Sequence, residues 1–332
     1  MTYYLLAFLI SLIVALILGP IIIALSKKLK ASQTVLEYVK EHSGKSGTPT
    51  LGGIIFILAS MMSLCFFSTN YTFAMLALAS MLAYGILGFL DDFIKIRYKQ
   101  NLGLKPYQKI IGQVGIATIL AFFCYYSNLV GTSVYIPFVK STIDLGWFII
   151  PFIILVYLAV TNSVNLTDGL DGLATGVSIS YLLGFLTLLF LYERIAPSQE
   201  IAGELGNLIL LCVCVIGALI GFMGYNVFPA KIFMGDTGSL ALGGLIASLA
   251  VFSRLDFYIP LLGIMFVVSA VSVIIQVAHY KRTKKRIFKM APLHHHFQQC
   301  GVHENRITLV YIIITIIMSC LVVMISIFAG GL

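Results

Sequence analysis

The chain has 332 residues, of which 60% are apolar and only 10% charged, and its mean hydropathy is +1.02. A water-soluble domain carries roughly 25% charged residues, so most of this surface must face lipid; nucleic-acid binders, disordered chains and secreted disulfide scaffolds are excluded. The net charge of +8 is read as a topological signal, and the six cysteines, with no CxxC pair among them, as free thiols.

Apolar runs of about 20 residues cross a bilayer as helices. In chain order they fall near 3–26, 53–70, 73–92, 110–127, 146–162, 173–193, 205–223, 238–254, 258–280 and 307–329. The first has no Lys or Arg before it and Lys27, Lys28 and Lys30 after it, which reads as a span rather than a cleaved signal peptide. Between the fourth and fifth runs, residues 128–145 alternate apolar and polar positions around Gly131 and Pro137, predicting a short β-hairpin. Ten spans place both termini on one side. If that side is outside, the inner loops collect every Lys and Arg except Lys140, Arg194 and Arg254, together with all six histidines. The positive-inside rule therefore predicts extracytoplasmic termini and a functional face toward the cytoplasm. With no internal repeat and no soluble linker, the expectation is one all-α polytopic integral membrane domain over residues 1–332.

Charged groups at membrane helices are costly and usually functional. Asp91, Asp92, Asp168, Asp171 and Asp236 sit at inner helix ends on three separate loops. The adjacent Asp91 and Asp92 repel each other, which a divalent cation or a shared proton relieves; a helix end paired with Lys95 or Lys99 explains them equally well. In Asn162–Gly172 (NSVNLTDGLDG), a helix starting at Asp168 would put Asp168 and Asp171 on one face. Gly169 and Gly172 would let backbone approach a ligand. Capping explains one of these acids but not Asn165, Asp168 and Asp171 together.

Within residues 221–244 (GFMGYNVFPAKIFMGDTGSLALGG), Asp236 lies in a glycine-rich turn feeding a helix N-terminus. That arrangement suits an anion and its metal, although simple N-capping accounts for it too. The first inner loop, HSGKSGTPTLGG (42–53), offers Lys45 and glycines to a phosphate, but not in the order of a Walker A loop. In the last inner loop, KRTKKRIFK (281–289) suggests a polybasic surface helix on anionic lipid. The run His294, His295, His296 follows it. Consecutive helical residues point about 100° apart, so these three read as donors to phosphate or sugar oxygens rather than as ligands of one metal.

Together, LGFLDDFIKI, NLTDGLDGLA, NVFPAKIFMGDTGSLALGG and PLHHHF resemble the polyprenyl-phosphate N-acetylhexosamine-1-phosphate transferase superfamily. GKSGTPTLGG and APLHHHF are similar to its phospho-N-acetylmuramoyl-pentapeptide transferase branch. Two positions depart from the usual pattern: Leu51 where Met is frequent, and Gln298 where an acid is. The resemblance implies transfer of phospho-MurNAc-pentapeptide from UDP-MurNAc-pentapeptide to undecaprenyl phosphate, giving lipid I and UMP, by a Mg²⁺-dependent homodimer in the bacterial cytoplasmic membrane. It implies Asp236 as the Mg²⁺ ligand, with Asp91 orienting or deprotonating the lipid phosphate and Asp92 assisting. Asn165, Asp168 and Asp171 would organise the metal and the nucleoside end of the donor. Phe233 would pack on uracil, with Asn226 in the same polar cluster. Lys45, Lys105, Gln276, His294, His295 and His296 would hold pyrophosphate and sugar, with Thr50, Gly169 and Leu170 as further substrate contacts. The rivals are a GlcNAc-1-phosphate transferase of the same superfamily, which typically lacks the His run, and a secondary transporter. A transporter places ionisable groups near the midplane, not at one face.

Overall fold

The computed structural model describes residues 2–29, 47–67, 72–98, 103–139 and 141–329. In chain order its helices are α1 (Thr2–Lys28), α2 (Gly53–Phe67), α3 (Thr72–Tyr98), α4 (Pro106–Tyr126), α5 (Ile149–Thr167) and α6 (Leu173–Arg194). There follow α7 (Gln199–Asn226), α8 (Gly235–Ser253), α9 (Ile259–Leu262), α10 (Ile264–Thr283), α11 (Leu293–Gln299) and α12 (Glu304–Phe328). Among the described residues nine helices are long and apolar enough to cross a membrane, and α2 is a shorter apolar helix of 15 residues. The chain is an all-α polytopic membrane protein, as its apolar runs predict. The expected hairpin is also present: β1 (Ser133–Tyr135) pairs antiparallel with β2 (Thr142–Asp144), Val134 opposite Ile143.

Three differences from expectation bear on the site. Helix α3 continues to Tyr98, beyond Asp91 and Asp92, and Lys95 pairs back onto Asp91 one turn earlier. The run expected over 258–280 breaks at Gly263 into α9 and α10. The basic stretch 281–289 is not a surface helix. Lys284 takes a left-handed φ of 58° that ends α10, and Gln276 Oε1 then accepts the Ile287 and Phe288 N–H groups at 3.1 and 3.0 Å, holding an irregular turn.

Small residues decide which helix is central. In α8 nearly every residue is buried, and none after Asp236 is charged. A Cβ on Gly243 would meet the Thr161 backbone of α5, and one on Gly53 the Gly238 backbone, so these helices approach at backbone distance. Helix α1 is peripheral. It buries only Ala7, Ser11, Ala15, Gly19, Ile22 and Ser26, a stripe repeating every three or four residues that meets Gly217 and Gly221 of α7. Polar groups inside the bundle pair across helices, as lipid requires: Tyr157 Oη with Ser248 Oγ at 2.8 Å, and Tyr84 Oη donating to the Gln113 carbonyl at 3.0 Å.

Helices α3, α5 and α7 end, and α4, α6 and α8 begin, at the end of the bundle that carries the acids; the hairpin lies at the other. There Glu204 accepts the Thr72 and Phe73 N–H groups at 3.2 and 2.8 Å and so caps α3 from α7. Asp256 follows α8 in a turn on that side, 5% exposed, its Oδ1 without a hydrogen-bonding partner among the described residues. Burial pushes its carboxyl from 3.8 up to about 7. A raised acid stabilises the fold fully below its unfolded pKa and loses that contribution as pH rises through the folded value. Asp256→Asn is therefore expected to raise the melting temperature at about pH 8, with the gain fading as pH falls toward 4. The displacement corresponds to roughly 4 kcal/mol. A gain that does not vary with pH would count against the buried acid as its source.

Candidate active site

Four helix ends converge on one acidic cluster. From the last turns of α3 come Asp91, Asp92 and Lys95, from α4 Lys109, from the end of α5 Asn165, and from the first turn of α8 Asp236 and Thr237. Oxygens of Asp91, Asp92 and Asp236 lie within 4.8 Å of one another. Like charges this close require compensating cations, and two lysines supply them. Asp236 Oδ2 receives Lys95 Nζ at 2.8 Å and Lys109 Nζ at 3.1 Å, while Lys95 also meets Asp91 Oδ2 at 2.5 Å. Asn165 Nδ2 donates to Asp236 Oδ1 at 2.6 Å and to Ser239 Oγ at 2.8 Å.

The two neighbouring acids of α3 are held differently. Asp92 caps α8 from across the interface: its Oδ2 accepts the Thr237 N–H at 2.9 Å and the Thr237 hydroxyl at 2.7 Å, and its Oδ1 the Asp236 N–H at 3.3 Å. Asp236 is thereby freed from the N-capping role that its motif allowed. Asp91 Oδ1 accepts the Leu104 N–H at 2.9 Å, which ties the start of α4 to the cluster.

Asp168 and Asp171 do not share a helical face. Residues 168–172 form a turn, because Gly172 takes a φ of 71° and α6 begins only at Leu173. Burial, then the carboxylates of Asp236, Asp92 and Asp171, push the Asp168 carboxyl up to about 8, with the Gly235 N–H opposing. Asp168 therefore borders the cluster. The Asp171 carboxylate turns toward another loop and accepts the Ala230 N–H at 3.0 Å. Leu170 is buried beside it, and Gly169 faces the His run: a Cβ there would collide with the Nε2 atoms of His294 and His295.

The His run forms the short helix α11, with each ring in a different setting. His294 is buried, with neither ring nitrogen hydrogen-bonded among the described residues. Burial, then His295, holds its pKa well below the usual imidazole range. His295 Nδ1 meets Gln298 Oε1 at 3.1 Å, and His296 Nδ1 accepts the Lys289 N–H at 3.1 Å.

Two further residues of the expected set, Asn226 and Gln276, hydrogen-bond to backbone. The Asn226 amide receives Thr175 Oγ1 at 2.7 Å and donates to the Ile232 carbonyl at 3.1 Å. Gln276 fixes residues 287–288, its Nε2 also donating to the Phe288 carbonyl at 3.0 Å. Phe233 is partly exposed, and its backbone pairs with the first inner loop, Phe233 N–H to Pro49 and Gly52 N–H to Phe233. This brings Thr50 against Gly235 and Asp92, where its buried Oγ1 has no hydrogen-bonding partner among the described residues. Lys105 is exposed at the N-terminus of α4, and Lys45 lies outside the described residues.

The sequence pattern gives no role to Lys109 or Thr237, and offers Lys95 only as a salt-bridge partner of the Asp pair. The i, i+4 spacing of Asp91 and Lys95 was a usable signal; nothing local marks Lys109.

A family model described as glycosyl transferase family 4 matches residues 72–254, which contain the whole acidic cluster. The phospho-N-acetylmuramoyl-pentapeptide-transferase of Clostridium kluyveri is 46% identical over 318 residues, covering 95% of this chain and 96% of that protein. The proteins of the same name from Clostridium novyi (43% over 316 residues, 95% and 94% covered) and Thermoanaerobacter sp. (46% over 314 residues, 94% and 95% covered) are similar to the same extent. With near-full coverage at this identity, and with the acids of its motifs gathered at one end of the bundle, the chain belongs to the phospho-N-acetylmuramoyl-pentapeptide transferase family within glycosyl transferase family 4.

Proposed function

We propose that this chain transfers phospho-MurNAc-pentapeptide from UDP-MurNAc-pentapeptide to undecaprenyl phosphate, yielding lipid I and UMP for peptidoglycan synthesis. The protein is a multi-pass protein of the bacterial cytoplasmic membrane. The observation that carries the reading is the convergence of three carboxylates and two lysines at one membrane end, where a lipid-borne phosphate and a soluble nucleotide can meet. The distribution of Lys and Arg supports a cytoplasmic position for that end and extracytoplasmic termini.

In the reaction a phosphate oxygen of the lipid forms a bond to the donor's β-phosphorus. The bond from that phosphorus to the bridging oxygen breaks, and UMP leaves with the electron pair. One phosphoanhydride replaces another, so no further energy source is needed. The acceptor phosphate is largely a dianion at neutral pH, its second pKa being about 6. Asp91 therefore has to orient it more than deprotonate it, which favours direct attack over an aspartyl-phosphate intermediate. Repulsion between two anionic reactants is the main obstacle, and Lys95 and Lys109 lie where they can offset it.

The donor set is all oxygen, with Asp91 and Asp92 buried and Asp236 partly open, which suits a hard divalent cation. We assign Mg²⁺ to it, with Asp236 as ligand and Asp91 and Asp92 within reach; when bound, it supplies charge neutralisation of the diphosphate. Asn165, the Asp168–Gly172 turn and the Asn226–Phe233 segment form the donor side, braced by the hydrogen bonds above. His294, His295, His296, Thr50 and Lys105 border it, and the family resemblance assigns Lys45 to the same donor. The same reading takes residues 1–332 as one catalytic domain acting as a homodimer.

The deciding experiment follows UMP release from purified protein given undecaprenyl phosphate and Mg²⁺, with UDP-MurNAc-pentapeptide and UDP-GlcNAc offered separately. Release from the muramoyl donor alone, abolished by EDTA and restored by Mg²⁺, is expected. Release from UDP-GlcNAc instead would reassign the substrate, and EDTA-insensitive release would remove the metal.

A further inference from the structure

We propose that Glu304, in the first turn of α12, is a positioning residue for donor binding, holding the Asp168–Gly172 turn and, through it, the loop that leads to Asp236. This rests on the donor side being formed as proposed above.

An acid in a first helical turn is ordinarily explained by the helix dipole and left in solvent. Glu304 does not fit that account. It is buried at 6% exposure, and the N-cap of α12 is already served by His303 Nδ1, which accepts the Asn305 N–H at 3.3 Å. Glu304 Oε1 accepts the Asp171 N–H at 2.6 Å, a bond between elements 133 positions apart. One turn further along α12, Thr308 Oγ1 donates to the Asp171 carbonyl at 3.4 Å, so α12 holds both backbone groups of one residue. Asp171 passes the restraint on, its Oδ2 accepting the Ala230 N–H six positions before Asp236. His303 adds a second contact to that loop, its ring edge-on to Phe228 at 5.3 Å between centroids.

The turn needs an outside brace. Gly172 takes a left-handed φ, and the helices hold only the ends of the turn, α5 through the Asp168 N–H and α6 through the Gly172 carbonyl, so Asp171 is fixed by neither ladder. A carboxyl oxygen accepting a buried backbone N–H at 2.6 Å is a strong tie. Its removal leaves the C-terminal helix packed but the Asp171 N–H without its acceptor, and on α12 only the longer Thr308 bond to that residue remains. Glu304 touches no reacting atom in this account; it acts through Asp171.

The test compares Glu304→Ala with Glu304→Gln in the full-length chain. Gln retains an oxygen that can accept the Asp171 N–H, whereas Ala does not. Glu304→Ala is expected to raise KM for UDP-MurNAc-pentapeptide about tenfold or more while KM for undecaprenyl phosphate stays within about twofold, with Glu304→Gln recovering most of the loss. Hydrogen exchange, read without substrate, is expected to quicken at residues 168–172 and 228–232 in the Ala variant and much less in the Gln variant. An unchanged donor KM in Glu304→Ala, equal rises in both KM values, or unchanged exchange at 168–172 would overturn the proposal, as would a Gln variant as impaired as Ala. Wild-type protein with no turnover of the muramoyl donor would defeat the functional reading instead, and the exchange comparison would still decide whether Glu304 holds the turn.

Discussion

Asp236→Asn is expected to slow UMP release by roughly a thousandfold, the scale on which preorganised charge acts on a transferring group. The substitution keeps the size of the side chain and leaves an oxygen for Asn165, which donates to Oδ1 at 2.6 Å. What it removes is the charge that Lys95 and Lys109 share at 2.8 and 3.1 Å, together with the best candidate metal ligand. The Asp236 backbone N–H still reaches Asp92, so the start of α8 stays capped. Melting temperature within a few degrees of wild type, alongside the rate loss, is the result that places the effect in the chemistry. A rate within tenfold of wild type would remove Asp236 from the centre of the mechanism.

Gly88→Ala is expected to damage both fold and activity, although it touches no charged side chain. A Cβ at this position of α3 would run into the backbone of α8, at the Asp236 carbonyl and the Thr237 nitrogen. Backbone in an enclosed helix cannot turn aside as a side-chain end can, so the two helices must separate. Overpacking of this kind costs about 1–3 kcal/mol and sometimes more. The separation falls one turn before Asp91 and Asp92, and a displacement of about 1 Å at a reacting centre can lower the rate about 100-fold. Gly115→Ala is the control. It lies on α4 with nothing within 4 Å of the added carbon, and no loss of melting temperature is expected there. Equal behaviour of the two variants would mean that the α3–α8 approach is looser than the structure has it.

Local pattern went far with this chain because membrane proteins are strongly constrained. An apolar run of sufficient length has to become a helix, since lipid offers no partner for backbone N–H and C=O groups. The runs, the hairpin at 128–145 and the clustering of acids at inner helix ends were all legible for that reason. Boundaries were less so. The extension of α3 to Tyr98 and the break at Gly263 depend on pairs and neighbours that a hydropathy window does not weigh.

The site was legible as a set of residues but not as a division of labour. Asp91, Asp92, Asp168, Asp171 and Asp236 are alike as letters at helix ends. Packing makes Asp236 the meeting point of two lysines, Asp92 the cap of α8, and Asp171 a brace for the loop at Ala230. The amides of Asn226 and Gln276 also hold backbone, at the Ile232 carbonyl and the Phe288 N–H.

The sequence by itself determined the membrane class, the helical spans, the family motifs and the placing of the acids at helix ends. These follow from hydrophobic length, charge bias and short motifs, which act locally along the chain. Tertiary structure alone decided which of the 21 Lys and Arg residues meet the acids and which acid stands among them. It also decided that a glutamate at the far end of the chain steadies the turn at Asp171. Those partners are separated by more than a hundred residues, and only helix packing, governed by where glycine and alanine permit close approach, brings them within hydrogen-bonding distance.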